Sequence, residues 1–111
     1  MDSTTYSDEK KCNIRLGALH YDSYNQCLFS ERETVYLRNK LNDVLNYMIV
    51  NQHRAVSRNE LVENIWRGNF YTGVKAVTHS VCKLRKTFSE LGEDKVSIKT
   101  LPKQGYALQI N

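Results

Sequence analysis

No apolar run in this chain approaches the ~18 residues of a membrane-spanning helix, and the N-terminus carries no apolar stretch suited to a signal peptide. Cysteine is scarce and odd in number. Cys12, Cys27 and Cys82 show no CxxC spacing, which argues against a structural zinc site or a disulfide framework and fits a reduced, intracellular setting. Catalytic signatures are missing as well: there is no GxSxG, HExxH, Walker-type glycine loop or Cys–His pattern. The three histidines, His20, His53 and His79, fall in separate segments. Asp22 lies near His20, but in a turn-prone stretch where an aspartate needs no further role. Without convergent groups, no enzyme activity, small-molecule substrate, metal or cofactor is expected.

What is present is enough for one compact domain with a modest core, 111 residues with 41% hydrophobic content. The net charge of +4 is unevenly placed. Residues 1–74 carry nine Lys/Arg and nine Asp/Glu, whereas residues 75–111 carry seven against three. The whole excess therefore sits in the last third, the electrostatic footprint expected of a phosphate-binding surface.

That third begins with GVKAVTHSVCKLRKTFSEL, Gly73–Leu91. Val74, Val77, Val81, Leu84 and Phe88 recur with the spacing of one helix face. The opposite face carries Lys75, His79, Cys82 and Lys86, flanked by Thr78 and Lys83, with no acidic residue until Glu90. Such a helix fits a DNA major groove, short polar side chains reaching base edges and cations reaching phosphates. Two blander readings stand beside it. Most amphipathic helices simply have a solvated charged side. An anionic membrane is also a polyanion, but the basic face lacks the Trp, Phe or Leu that an interfacial helix inserts. Cys82 is either a redox-sensitive thiol or an inert small residue, the second being preferred.

Taken in order, Met1–Lys11 is polar and without periodicity, the composition of a flexible arm. From Asn13, NIRLGALHYD, QCLF and ETVYL read as three short strands separated by turns at Asp22–Asn25 and Glu31-Arg32. A helix is expected over Asn39–Val50, capped by Asn39, with Leu41, Val44, Leu45 and Met48 on one face. Ala55-Val56 is a short apolar link. Ser57-Arg58-Asn59-Glu60 fits a capping box for a second helix with Leu61, Ile65 and Trp66 inward. Arg67–Thr72 reads as a loop whose Phe70 and Tyr71 either pack onto the core, the preferred reading, or contact a partner. Gly92-Glu93-Asp94 stops the third helix. Val96 and Ile98, then Tyr106, Leu108 and Ile110, alternate about the turn Pro102-Lys103-Gln104-Gly105, which predicts a C-terminal hairpin.

Three helices and a hairpin resemble a winged helix-turn-helix, and the preceding strands narrow the likeness to the OmpR/PhoB-type effector domain, as in ToxR-like, often membrane-tethered transcription activators. The likeness is carried by Leu16-Gly17…Leu19…Asp22, by VSRNELVENIW at Val56–Trp66, by VTHSVCKLRKTF at Val77–Phe88 and by IKTLPKQGYAL at Ile98–Leu108. It covers residues 13–110, leaving 1–12 as the arm. Two departures are Leu41, where the family commonly has a glutamate, and Glu31-Arg32, where a glycine is usual.

The resemblance implies an α+β fold: an N-terminal antiparallel sheet, three helices and a C-terminal wing. It implies sequence-specific binding of double-stranded DNA and transcription regulation, as an activator. Helix 74–91 would enter the major groove and wing 98–108 would lie on the minor groove or backbone. Thr78, His79 and Cys82 would face bases. They stand where better-known members often carry Asp, Val or Arg, so the recognised sequence is expected to be this chain's own. Lys75, Lys83, Arg85 and Lys86 would hold phosphates, Arg85 lying nearer the core-facing side. Lys99, Lys103 and Gln104 would serve the wing. The resemblance further implies an RNA polymerase contact through the loop holding Asn69, Phe70 and Tyr71, and a tandem homodimer on DNA. No receiver-like segment precedes the domain, and an effector without input is hard to regulate. The expectation is therefore a cytoplasmic piece of a longer protein anchored in the inner membrane. The competing reading is a winged-helix module for protein–protein contacts without DNA binding.

Overall fold

The computed structural model describes residues 13–111, so the arm expected over 1–12 lies outside the described residues. The first ten of these residues do not form one strand. Gly17 adopts φ 60 and folds Asn13–Leu16 (β1) back onto Leu19–Asp22 (β2), so the run read as a single strand is a hairpin. Glycine takes this left-handed conformation without steric cost. Asp22 Oδ1 then accepts from the amides of Tyr24 and Asn25, both at 3.0 Å, which makes the next turn. Cys27–Phe29 (β3) and Thr34–Tyr36 (β4) complete an antiparallel sheet of order β1-β2-β3-β4, with Ser30 Oγ bracing the turn between them. Leu16, Leu19, Tyr21 and Leu28 are fully buried on its inner side.

Three helices cover that side: Asn39–Val50 (α1), Arg58–Ile65 (α2) and Phe70–Glu90 (α3). The N-cap of α1 is Arg38, with no side-chain capping bond, and Asn39, the expected cap, is already helical. Val44, Leu45 and Met48 are buried as their spacing predicts, while Leu41 is half-buried. Asn42 is buried too, because it accepts from the Tyr21 hydroxyl (2.6 Å) and ties sheet to helix. The capping box of α2 forms as expected: Glu60 N–H donates to Ser57 Oγ and Ser57 N–H to Glu60 Oε1. Such a box secures two otherwise orphaned amides. Trp66 caps the C-terminus of α2 and is half-buried at the edge of the core, where the sequence suggested a full core residue.

Val96–Leu101 (β5) and Gly105–Ile110 (β6) form the C-terminal hairpin. Val56, read as a link, is in fact an isolated bridge to Tyr106: its N–H donates to Tyr106 O (2.7 Å) and it accepts in return (2.9 Å). Glu93, read as a turn residue, is buried and accepts from Ala18 N–H and Lys95 N–H, both at 2.7 Å. It closes the first hairpin against the end of α3. One continuous apolar core runs from Leu16 to Leu108 through all three helices.

Candidate nucleic-acid interface

The geometry of α3 is set where it crosses α2. After Ile65 the chain turns through Arg67 (φ 54) and Gly68 (φ 79), and Gly68 N–H donates to Val62 O (3.0 Å). Asn69 then caps α3 by accepting from Thr72 N–H. The helix therefore starts at Phe70, three residues before the expected start, because a capping asparagine outweighs a glycine one turn in. Gly73 is needed for a different reason: a Cβ there would stand 2.7 Å from Val62 Cγ1. The two helices touch backbone to side chain at that point.

The inner face of α3 is Gly73, Val77, Ser80, Val81, Leu84, Thr87 and Phe88, all buried. The apolar stripe expected from the spacing is buried, apart from Val74, which is only half-buried. Lys75, Thr78, His79, Cys82, Lys83, Arg85 and Lys86 are all exposed on the remaining surface. Their hydrogen bonding divides them. Thr78 Oγ1 donates to Val74 O (3.4 Å), which leaves the hydroxyl oxygen able to accept. Lys86 Nζ lies 4.0 Å from Glu90, an exposed pair one helical turn apart that holds the lysine weakly. Arg85 differs from the rest. Its Nε and Nη2 donate to Ile98 O (3.0 and 2.6 Å) and Nη2 also to Thr100 Oγ1 (2.8 Å), so it is bound to β5.

Lys99, Lys103 and Gln104 are exposed on the near strand and tip of the hairpin, with Lys103 at φ 65 making the turn. Gly105 (φ 121) packs so close to the 56–57 backbone that a Cβ would lie 2.1 Å from Val56 O. The tip and Ser57–Asn59 line a cleft of about 370 Å³, with Arg58 on its far wall. At the start of α3, Tyr71 is 94% exposed and Phe70 41%, so the preference for packing is overturned. Both occupy the first turn of α3, before the core-facing positions begin at Gly73 and, four residues on, Val77.

Sequence reasoning missed one stretch of this surface. A groove of about 620 Å³ runs between α3 and the β4–α1 junction, lined on one side by His79 and Lys83 and on the other by Tyr36, Arg38 and Lys40. Lys40 is engaged structurally, donating to Ile65 O (2.8 Å) at the end of α2. The signal was the Arg38-Asn39-Lys40 cluster, but nothing local tells that it folds back beside residue 79. A separate polar cluster backs the helices: Arg54 donates to Glu60, which also accepts from the Tyr47 hydroxyl (2.6 Å). Chiefly through the Arg54 hydrogen bond, the Glu60 carboxyl is held down to about 2. Burial beside Glu60 raises Tyr47.

This geometry has relatives. Residues 31–108 match the family described as transcriptional regulatory protein, C terminal. The transcriptional activator CadC of Escherichia coli (strain K12) is 35% identical over 99 residues, which is 87% of this chain and 19% of CadC. The chain thus spans about a fifth of the length of that curated relative. The solved DNA-binding domain of E. coli CadC superposes with a TM-score of 0.75 at 30% identity, covering 87% of this chain and 91% of that one. The Klebsiella pneumoniae RstA DNA-binding domain, solved in complex with the RstA box, gives 0.67 at 27% identity over 87% of this chain and 96% of that one. The resemblance to OmpR/PhoB-type winged-helix domains is borne out. With its matched residues running from the β3–β4 turn to the end of the wing, this chain belongs to the family of transcriptional regulatory protein C-terminal domains, a family of regulators and not of enzymes.

Proposed function

We propose that this chain binds double-stranded DNA in a sequence-specific manner and regulates transcription as an activator. One observation carries the reading. The exposed side of α3 is free of acidic residues as far as Glu90, and Arg85 ties the helix to a hairpin whose strand and tip carry Lys99 and Lys103. In this reading α3 lies in the major groove and the wing lies on the minor groove or backbone. Thr78, His79 and Cys82 face base edges, where a threonine oxygen accepts from a base amino group and an imidazole donates or accepts. Lys75, Lys83 and Lys86 hold phosphates, and Lys99, Lys103 and Gln104 serve the wing.

Finer points rest on the family resemblance. The exposed Tyr71, with Phe70 beside it, supports a contact of the α2–α3 turn with RNA polymerase, while the Asn69 side chain is engaged in capping. Two copies on tandem half-sites, a cytoplasmic location and an inner-membrane anchor in a longer parent protein are part of the same proposal. Among the described residues no helix is long and apolar enough to cross a membrane. The rival reading, a winged helix devoted to protein contacts, is not favoured by the family match or by a relative solved on DNA.

A binding titration on genomic fragments in a salt series tests the proposal. Four to six phosphate contacts imply a log–log slope of about −4 to −5, at roughly 0.9 per contact. A slope near zero would remove nucleic acid as the partner.

A further inference from the structure

Among the described residues the hairpin is a two-stranded sheet of order β5-β6. Such a hairpin is marginal by itself in water and needs outside support to hold one orientation. Besides the buried Val96, Ile98, Tyr106 and Leu108 of its inner face, its polar support gathers at Ile98 and Thr100 of β5 and Tyr106 of β6. Thr100 pairs with Tyr106, the last pair but one before the tip. On the β6 side, Tyr106 is held by its two backbone bonds to Val56. On the β5 side, Thr100 Oγ1 accepts from Arg85, which also places two donors on Ile98 O. One end of the rung is therefore tied to the segment before α2 and the other to α3 itself.

We infer that Arg85 is a positioning residue that fixes the wing to the recognition helix through Ile98 O and Thr100, and so sets where the tip meets DNA. Its charge is not spent on a phosphate. The inference deepens the DNA-binding reading and rests on it for its consequence, but the clamp itself is a property of the free protein. The planar guanidinium places Nε and Nη2 on a single carbonyl and extends Nη2 to a hydroxyl. A lysine ammonium is a point donor on a different stem and does not reproduce that fork. Beyond the Thr100–Tyr106 rung only Leu101–Gly105 project, and these include Lys103 and Gln104. A tip so short moves only as far as its rung moves.

The experiment uses Arg85→Lys and Arg85→Ala in the full chain, each alone and combined with Lys103→Ala. In the free protein, amide hydrogen exchange across β5 and β6 should quicken in both Arg85 variants, while α3 and the first sheet keep their protection. On DNA, cleavage protection in the minor groove beside the wing should be lost in both, while major-groove protection by α3 persists. Lys103→Ala should flatten the salt slope by about 0.9 in the wild-type background and change nothing further in either Arg85 background. A phosphate contact would behave otherwise, since lysine keeps the charge. Wild-type slope and footprint in Arg85→Lys would overturn the proposal, and so would unchanged wing exchange in Arg85→Ala. Quickened exchange throughout the molecule would also overturn it, by making Arg85 a general stabiliser. Failure of the wild-type chain to bind DNA would sink the functional reading alone, because the exchange measurement decides the clamp without DNA.

Discussion

The two β regions of this domain bury side chains in the same core but differ in their polar anchors. The first sheet is fastened through buried side chains: Tyr21 to Asn42, and Ala18 N–H to the Glu93 carboxylate. The C-terminal hairpin is fastened at its edges, by backbone pairing to Val56 and by the Arg85 fork. The first region hides its polar anchors and shows no share of the charge excess. The second keeps the Val56–Tyr106 pairing in the core but leaves the Arg85 fork near the surface, and it shows Lys99 and Lys103. Buried anchors raise the cost of disturbance, since a buried amide left without a partner loses its full desolvation energy. Edge anchors hold position while leaving the exposed side for contact. The sheet is built to stay and the wing to touch.

The difference can be broken most severely at the element both regions lean on. Leu84 is fully buried in α3, and Leu84→Ala should cost about 2–5 kcal/mol through lost burial and a cavity. Thermal melting should drop sharply, sheet and wing should fail together, and any folded fraction should keep its site preference. Separate melting of the two regions would show that they are not coupled through α3.

Glu93→Ala should sharpen the contrast. It leaves the part-buried Ala18 and Lys95 amides without their acceptor, at about 0.5–1.5 kcal/mol for each lost hydrogen bond. Denaturant midpoints should fall, while DNA affinity measured well below the transition stays native. A large loss of DNA affinity in the folded variant would mean that the first sheet takes part in binding.

Acid provides a gentler discrimination. Glu60 is held at about 2, well below its ordinary 4.5, mainly by Arg54. A depressed carboxyl contributes stability that is complete above the unfolded value and is lost as pH falls through the folded one. Melting temperature should thus decline from about pH 4.5 down towards 2, and Glu60→Gln should flatten that part of the profile. Because Glu60 also caps Ser57, next to Val56, wing amides should lose exchange protection before those of the first sheet. The reverse order would separate the Arg54–Glu60 pair from the wing.

The smallest effects concern contacts that make no part of the fold. His79→Ala should leave melting unchanged and cost about 1–3 kcal/mol on the specific site, with little change on random DNA. Lys103→Ala should weaken all sequences alike and flatten the salt slope by about 0.9. Equal losses on specific and random DNA in both variants would erase the distinction between helix and wing.

Local signals carried much of this. The capping box at Ser57, the valine–leucine stripe of α3 and the alternation about Pro102–Gly105 each lie within a few residues, and each was realised. What escaped was decided by distant partners. Nothing near Glu93 tells that its acceptor oxygens serve an amide 75 positions away. Val56 looks like a linker until Tyr106 is opposite it. Gly17 sits in an alternating run that a strand and a tight hairpin fit equally well. Gly73 resembled a helix start because glycine usually marks an end; here it marks a crossing, and Asn69 sets the start. On the outer face the exposure of the site residues was legible, whereas the engagement of Arg85 by Ile98 and Thr100 was not, since both partners lie in the next element.

The contact of Gly73 with Val62 has a wider bearing. Because the backbone of α3 at Gly73 rests directly on the Val62 side chain of α2, the crossing is set on the inner face and does not depend on what the outer side of α3 carries. Thr78, His79 and Cys82 are therefore free to change in a lineage without re-solving the packing problem. On the proposed DNA-binding reading, the same scaffold can drift from one operator to another by surface substitution alone, while any replacement of that glycine must be met by a second change in Val62.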